Sequence, residues 1–307
     1  MGEKPNERAR ARPKTAVFAY SEVGCVCLEE LFRLGANVAA VFTHEDDANE
    51  EIWFRSVRDI ASANGVAPTV GAKPGADAAR ILRDLGVELI FSFYYRAMIP
   101  EEVLKAARLG AYNLHGALLP KYRGRACVNW AVLNGEKETG ATLHVMTKYA
   151  DRGDIVDSEA VPIALEETAL DVFMKVAEAA RLIIRRSLAG IEAGNATRTP
   201  QDESLATSFG RRKPEDGIID WNKRALDLHN QVRALTHPFP GAFTLIDGEK
   251  YFIWRARVAG DIPPPSEGVK TEPGTVVSRK PFLIAASDGL VEVLSWQRDG
   301  CEERSSF

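Results

Sequence analysis

Three polar residues in the stretch 111–151 are of the types that acyl-transfer chemistry uses. Asn113 and His115 lie two residues apart in AYNLH, so on an extended strand their side chains point to the same side. Asp151 follows a second apolar run, ATLHVMT, and stands shortly before a glycine. An amide and an imidazolium can hold a developing oxyanion, and a carboxylate can keep the imidazole protonated or carry a proton away. These residue types together predict acyl transfer to an amine.

Each of the three residues also has an ordinary structural interpretation. A histidine at a strand end often only pairs with backbone groups. Asn113 is of a type that forms turns, and Asp151 could initiate the turn at Arg152-Gly153. Spacing alone does not show that the three side chains meet, so both interpretations stay open on the residues themselves.

The elements that would position these residues alternate between strand and helix patterns. The predicted strands are 15–20, 37–44, 67–70, 87–93, 111–115, 139–147 and 155–163. The predicted helices are 25–35, 52–65, 75–85, 99–110, 167–194 and 225–235. This repetition predicts an α/β fold with a Rossmann-like, mostly parallel sheet and helices on both faces. Asn113 and His115 would then lie at the carboxyl end of a strand, where such sheets bind ligands.

The pattern changes towards the end of the chain, where short strands at hairpin spacing predict a small OB-like antiparallel β-barrel. With 307 residues, the chain is long enough for two domains. We expect a disordered polar tail over 1–14, a catalytic domain over 15–195, a linker over 196–214 and the OB-like domain over 215–307.

Composition and motifs exclude several classes of protein. No apolar run approaches the roughly 18 residues of a membrane span, and residues 1–14 lack the apolar core of a signal peptide, which predicts a cytoplasmic protein. The four cysteines show no metal-ligand spacing, so no metal site is expected. The first strand is followed by a single glycine, Gly24, rather than G-x-G-x-x-G, and no P-loop is present, which disfavours nicotinamide and nucleotide-hydrolysing enzymes.

The strings NLHGALLPKYRGRA and TGATLHVMTKYADRGDIV resemble the folate-dependent formyltransferase family. The family pattern is Asn-x-His, then Ser/Ala-Leu-Leu-Pro-x-x-Arg-Gly, then Asp-x-Gly-x-Ile. Further similarity in VFAYSEVGC, VFTHEDD, FSFYYR and FGRRKPEDGIIDW extends the resemblance over residues 16–294. Within the family, the chain most resembles the formyltransferase half of the bifunctional polymyxin-resistance enzymes. Cys127 departs from the pattern, because a proline usually stands there.

The resemblance implies roles for particular residues and a co-substrate, N10-formyltetrahydrofolate, without a metal. Asn113 would orient the formyl oxygen, and His115, kept protonated by Asp151, would stabilise the intermediate and protonate the departing N10. The implied folate-binding residues are Ala97, Met98, Ile99, Arg125, Thr147, Lys148, Tyr149, Ala150 and Asp151. The ordinary interpretation is apolar packing for 97–99 and a solvated loop cation for Arg125. Lys121, Arg123 and Arg125 would form a small basic loop, which suits a diphosphate-bearing acceptor.

The acceptor implied by the resemblance is a nucleotide-linked amino sugar, specifically UDP-4-amino-4-deoxy-L-arabinose, used in lipid A modification. Other dTDP- or GDP-amino sugars, the methionyl group of initiator tRNA, a non-catalytic folate-binding module and a formyl-folate hydrolase are the alternatives. Nucleic-acid binding requires a basic surface, whereas this chain has 39 Lys and Arg against 43 Asp and Glu. A small nucleotide-sugar partner is therefore favoured over tRNA, and the sequence leaves the oligomeric state open.

Overall fold

The computed structural model describes residues 11–48, 50–71, 74–260 and 271–306. Contacts group the chain into two compact units, each assembled from several stretches. The first unit comprises Met1–Pro120, Ala141–Glu159 and Ala177–Ala206, and the second comprises Lys121–Gly140, Ala160–Val176 and Thr207–Phe307. This division is interleaved along the chain, unlike the linear succession of domains expected from the sequence.

The described residues form strands and helices in the following chain order. The strands are β1 (Lys14–Ala19), β2 (Asn37–Thr43), β3 (Pro68–Val70), β4 (Leu89–Phe93), β5 (Ala111–His115), β6 (Arg123–Gly124), β7 (Glu138–Val145), β8 (Ile155–Pro162), β9 (Ser208–Phe209), β10 (Ala242–Ile246), β11 (Glu249–Val258), β12 (Val276–Arg279), β13 (Phe282–Ala285), β14 (Leu290–Arg298) and β15 (Arg304–Ser305). The helices are α1 (Ser21–Arg33), α2 (Val57–Ala63), α3 (Ala76–Leu85), α4 (Glu101–Leu104), α5 (Cys127–Leu133), α6 (Ala169–Glu192) and α7 (Ala225–Leu235).

The larger sheet has seven strands in the order β3-β2-β1-β4-β5-β7-β8. The pairings from β3 through β5 are parallel, and β7 joins β5 in antiparallel orientation. All five residues of β4, LIFSF, are buried, as is typical of a parallel strand covered on both faces. The predicted α/β class with a mostly parallel sheet is confirmed.

The core on one side of this sheet is built from small and aromatic side chains. Phe18 of β1 and Phe42 of β2 stack with ring centroids 4.4 Å apart. Leu82 of α3 and Ile90 of β4 are buried in the same cluster. This apolar contact fixes α3 against the strands.

The helix predictions were wrong mainly at the ends. Helix α2 begins at Val57, later than predicted, because the Ser56 hydroxyl accepts a hydrogen bond from the Asp59 backbone N–H and caps it. Helix α4 covers only the first turn of 99–110; beyond it the backbone bonds of Ala106 and Ala107 reach back three residues instead of four. Helix α5 was not predicted.

The second unit contains an antiparallel sheet in the order β10-β11-β14-β13-β12, with β15 paired to β14. Helix α7 packs against β11. The predicted C-terminal β domain is thus confirmed. Over the residues that the structure describes, the strands of this sheet pair in an open path from β10 to β12.

The predicted tail and linker contain ordered residues. Residues 1–10 lie outside the described part of the chain. Lys14 belongs to β1, and the Arg12 guanidinium pairs with Glu192 at 2.8 Å, so these two residues of the predicted tail are part of the fold. Within 196–214, Thr199 pairs with Ile155 and β9 pairs with β6. These backbone bonds make 196–214 part of the fold, where a linker was predicted.

A fully buried carboxylate joins α1 to α6. Glu30 accepts hydrogen bonds from Arg33, one turn on, at 2.6 Å and from Arg185 of α6 at 2.8 Å. The hydrogen bond from Arg33, assisted by Arg185, outweighs burial and lowers the pKa of Glu30 to about 2. The carboxylate is therefore stabilised in its charged form by the folded protein.

We expect Glu30→Gln to lower the free energy of unfolding by about 2 kcal/mol at pH 7, because the amide loses charge-assisted bonds. The pKa is lowered in the fold, so this stability is present above the ordinary carboxyl pKa of about 4.5 and disappears as pH falls towards 2. Urea unfolding from pH 7 to pH 3 measures the difference.

Glu178→Gln is the matched control. Glu178 pairs with Arg181 on the exposed side of α6, the helix that carries Arg185, and such pairs contribute about 0–1 kcal/mol. A Glu30→Gln cost that stayed constant down to pH 3 would contradict the assignment.

Candidate active site

The candidate catalytic residues lie on the pairing between β5 and β7. In this antiparallel register Asn113 is opposite His144, and His115 is opposite Thr142. Directly opposed residues, and residues two apart on one strand, project from the same face of a sheet. The four side chains therefore share one face. His144 was missed at the sequence level, although it lies two residues after Thr142 within ATLHVMT.

A hydrogen bond between the two strands orients the amide of Asn113. The His144 Nδ1 atom lies 2.9 Å from the carbonyl oxygen of Val145, which can only accept, so this nitrogen carries the proton. In the neutral ring Nε2 is then an acceptor, and the Asn113 amide nitrogen donates to it at 3.1 Å. This tautomer and amide orientation are assigned from the hydrogen-bond partners. The buried His144 thereby positions the half-buried Asn113.

Asp151 folds back over the two histidines. Its Oδ1 atom lies 3.6 Å from His115 Nδ1 and 3.5 Å from His144 Nε2. Both distances exceed a normal hydrogen bond, and the one to His115 Nδ1 suits an ion pair when that ring is protonated. The Asp151 side chain is only 11% exposed. The structure thus brings Asn113, His115 and Asp151 together, while their catalytic roles stay predictions.

The turn that carries Asp151 depends on a glycine two residues later. The Val145 N–H donates to the carbonyl oxygen of Asp154 at 2.9 Å, which closes the chain onto the end of β7. A Cβ atom on Gly153 would lie 1.7 Å from the Val145 carbonyl oxygen. Because that neighbour is backbone, any other residue at 153 would force the turn open.

A buried hydroxyl holds the loop that follows His115. The Thr142 Oγ1 atom donates to the carbonyl oxygen of Ala117 at 2.7 Å and accepts from the Leu119 N–H at 3.1 Å. Thr142 lies opposite His115 in the sheet, so the same residue pair fixes both the strand end and the loop.

The segment Ala97–Ile99, one of the predicted folate-binding stretches, is partly core. Ile99 is buried in the apolar cluster beneath the sheet, in agreement with the simpler packing interpretation. Met98 is 62% exposed, which is unusual for a large apolar side chain. Of this segment, Met98 is thus an exposed side chain, whereas Ile99 is buried, and the predicted contact of Ala97–Ile99 with folate stays a prediction.

The start of this segment is anchored where the strand order reverses between β1 and β4. The Arg96 N–H donates to His44 Nε2 at 3.1 Å, and the His44 ring stacks on Tyr95 at 4.0 Å. Burial, with help from the charge of Arg96, lowers the pKa of His44. Tyr20 packs edge-on against His44, so these aromatic rings lie close to the point where the strand order reverses.

The second predicted folate-binding stretch, residues 147–151, begins beside an open cavity of about 610 Å³. Thr147, Lys148 and Tyr149 line this cavity, together with Lys105 and Arg152. The cavity wall thus combines an exposed aromatic ring with cations. Ala150 and Asp151 follow in the same loop.

Arg125 belongs to the second unit. Its backbone N–H donates to the carbonyl oxygen of Phe209 at 3.1 Å, and the residue is exposed. Arg123, expected in the same exposed basic loop, is instead buried, because β6 pairs with β9. The basic loop therefore presents Lys121 and Arg125 only.

Among the described residues, no cluster of three or more His, Cys, Asp or Glu side chains is arranged to hold a metal ion. No helix within the described ranges is long and apolar enough to cross a membrane.

Family models match most of the chain. The formyl transferase model matches residues 22–188, more than half of the sequence, and the formyl transferase C-terminal domain model matches residues 211–305. The chain belongs to the formyl transferase family. It is accordingly a formyl-transferring enzyme, and the family resemblance of its sequence is confirmed.

Several solved structures share this fold at low sequence identity. The N-formyltransferase from Helicobacter canadensis, solved with folinic acid and dTDP-3-aminofucose, superposes with a TM-score of 0.70 at 19% identity, covering 93% of this chain and 99% of its own. The sugar 3N-formyltransferase WlaRD, with dTDP and 5-N-formyl-THF, also gives 0.70 at 19% identity, covering 95% and 99%. HypX from Aquifex aeolicus with tetrahydrofolic acid gives 0.62 at 18% identity, covering 96% of this chain but 46% of its own.

We expect Gly153→Ala to lower kcat at least tenfold, because the displaced turn moves Asp151 and a misplacement of about 1 Å can cost about 10²-fold. The free energy of unfolding should fall by about 1–3 kcal/mol through overpacking. Steady-state kinetics and urea unfolding measure the two effects.

Gly71→Ala serves as the control, since a Cβ there meets no atom within 4 Å and should leave both quantities unchanged. Normal turnover in Gly153→Ala would show that the position of this turn does not matter to the reaction.

Proposed function

We propose that this formyltransferase moves the formyl group of N10-formyltetrahydrofolate to the 4-amine of a nucleotide-linked amino sugar. The observation that carries the proposal is the convergence of Asn113, His115 and Asp151 on one face of the sheet. The Asp151 Oδ1 and His115 Nδ1 atoms lie 3.6 Å apart, which is within ion-pair distance. An amide donor, an imidazole and a carboxylate at this spacing are what transfer of an acyl group to an amine requires.

In the proposed reaction the unprotonated amine of the sugar attacks the formyl carbon. The new N–C bond forms as the carbonyl oxygen becomes an oxyanion, which the amide N–H of Asn113 and the His115 ring would hold. Collapse of this intermediate restores the carbonyl and breaks the bond to N10. The former amine loses a proton to the Asp151 carboxylate, and N10 gains one from His115.

His144 has a separate place in this scheme. Its Nε2 atom accepts from Asn113, so it orients the oxyanion-binding amide and need not exchange a proton itself. Asp151 lies at similar distances from both rings, which allows it to stabilise positive charge on His115 during proton transfer.

A folate co-substrate is supported by the ligands of the related folds, which were solved with folinic acid, 5-N-formyl-THF and tetrahydrofolic acid. We place its contacts on Ala97–Ile99 and Thr147–Asp151, with Met98 exposed and Tyr149 on the cavity wall. Arg125 is proposed as a further contact to a polar or anionic group of the ligand.

The acceptor we propose is UDP-4-amino-4-deoxy-L-arabinose, which would place the enzyme in lipid A modification and polymyxin resistance. This choice rests on the sequence resemblance in the segments VFAYSEVGC, VFTHEDD, FSFYYR and FGRRKPEDGIIDW. One of the related folds was solved with dTDP-3-aminofucose, and a sugar 3N-formyltransferase was solved with dTDP, which supports a nucleotide-sugar acceptor in general. The net charge of −4 argues against a tRNA acceptor.

An acceptor panel with N10-formyltetrahydrofolate tests the substrate. We expect turnover with UDP-4-amino-4-deoxy-L-arabinose at a kcat/KM at least tenfold above that with dTDP- or GDP-linked 4-amino sugars, measured by loss of the free amine. Preference for a dTDP- or GDP-linked sugar would change the proposed acceptor and leave the proposed formyl-transfer reaction intact. Turnover only with initiator methionyl-tRNA, or formate release without any acceptor, would contradict it.

The chemical roles are tested by three substitutions. We expect Asn113→Ala to lower kcat by about 10²–10³-fold, and His115→Ala or Asp151→Asn by about 10²–10⁴-fold. Thermal protection by 5-formyltetrahydrofolate should remain, because the donor contacts lie mainly on other residues.

His237→Ala is the histidine control; His237 is an exposed residue of the second unit, and its loss should leave kcat within about twofold. Near-normal turnover of His115→Ala would rule out the assigned role.

A further inference from the structure

The turn Asp151-Arg152-Gly153, which we call the catalytic turn, is held by the amide side chain of Gln201. The Gln201 amide nitrogen donates hydrogen bonds to the carbonyl oxygens of Asp151 at 2.9 Å and Gly153 at 2.7 Å. Both N–H bonds of one side chain thus bind the two ends of the turn Asp151-Arg152-Gly153. Because carbonyl oxygens only accept, this position requires a donor.

The turn has two features that make such support necessary. Asp151 adopts φ of 55°, in the left-handed region that residues other than glycine adopt only rarely. Gly153 lies against the carbonyl of Val145 with no room for a side chain. A backbone in this state persists only where its surroundings determine it.

Gln201 is itself held firmly by its own segment, residues 198–202, which we call the brace. Thr199 and Ile155 exchange two backbone hydrogen bonds of 2.8 Å. Arg198 donates to the Tyr112 hydroxyl at 3.0 Å, on the strand that carries Asn113. Asp202 accepts from the Ser204 N–H at 2.9 Å and caps a short 3₁₀ turn. The brace therefore contacts Tyr112 of β5, Ile155 of β8 and the catalytic turn, residues that all belong to the first unit.

We propose that Gln201 is a positioning residue for formyl transfer, which sets the distance between the Asp151 carboxylate and the His115 ring. This inference rests on the proposed function of Asp151. Gln201 binds the backbone of the turn and leaves the carboxylate itself available. Its loss should therefore slow the chemical step and leave the affinity for donor and acceptor largely intact.

Two substitutions separate the donor function from side-chain size. Gln201→Met keeps the length but has no N–H, and we expect kcat to fall about 10–100-fold with KM for both substrates within about threefold. Gln201→Glu places a carboxylate against two carbonyl oxygens, so at pH 8 its kcat should fall as far as that of Gln201→Met. Towards pH 5 the carboxyl group takes a proton and regains one donor, so its kcat relative to the parent enzyme should rise.

Gln231 provides a matched control in the second unit. Its amide nitrogen also donates to two consecutive carbonyl oxygens, those of Gly217 at 3.2 Å and Ile218 at 2.8 Å. We expect Gln231→Met to lower the free energy of unfolding about as much as Gln201→Met does, because each variant loses two hydrogen bonds to carbonyl oxygens. The kcat of Gln231→Met should stay within about twofold of the parent value.

Hydrogen exchange of residues 147–154 gives a readout that does not depend on turnover. We expect faster exchange of this loop in Gln201→Met than in the parent or in Gln231→Met. Loop loosening together with a fall in kcat supports the proposal; unchanged exchange, or loosening with normal kcat, overturns it. If the parent enzyme formylates no amino sugar, the proposed function fails, and the exchange result alone then decides whether Gln201 holds the turn.

Discussion

The active face depends on the hydrogen bond between Asn113 and His144. The antiparallel register of β5 and β7 sets these two residues directly opposite each other, so their side chains project from the same face of the sheet. The reversal of direction at this one junction also returns the chain quickly enough for Asp151 to fold over the same face. The candidate active site therefore lies at the antiparallel pairing of β5 with β7.

Much of this arrangement could be predicted from the sequence. Alternating strand and helix patterns located β5 within its observed bounds and β7 within two residues, and the Asn-x-His spacing placed two side chains on one face. Asp151 was found through the family pattern, since its position depends on a left-handed turn that composition does not reveal. The class of the C-terminal region followed from strand spacing alone.

The residues that were missed depend on contacts between distant parts of the chain. His144 reads as one polar residue in an apolar strand, and only the cross-strand register shows that it faces Asn113. Gln201 stands in a polar segment with a proline, which is typical of a linker, yet its amide binds a turn 50 residues earlier. Arg123 reads as a loop cation but is buried by the pairing of β6 with β9. In each case tertiary contact overrides local composition.

The interleaving of the two compact units has a consequence for how this protein can be divided or recombined. The polypeptide passes from one unit to the other at residues 120, 140, 159, 176 and 206. A fragment that ends near residue 195 would retain Lys121–Gly140 and Ala160–Val176 while lacking the rest of the unit to which they belong. It would expose Phe209's aromatic neighbours Tyr122 and Trp130 to water. Chimeras with other members of the family therefore need exchange points that respect spatial neighbours, and a single crossover between the two family-model segments would join mismatched halves.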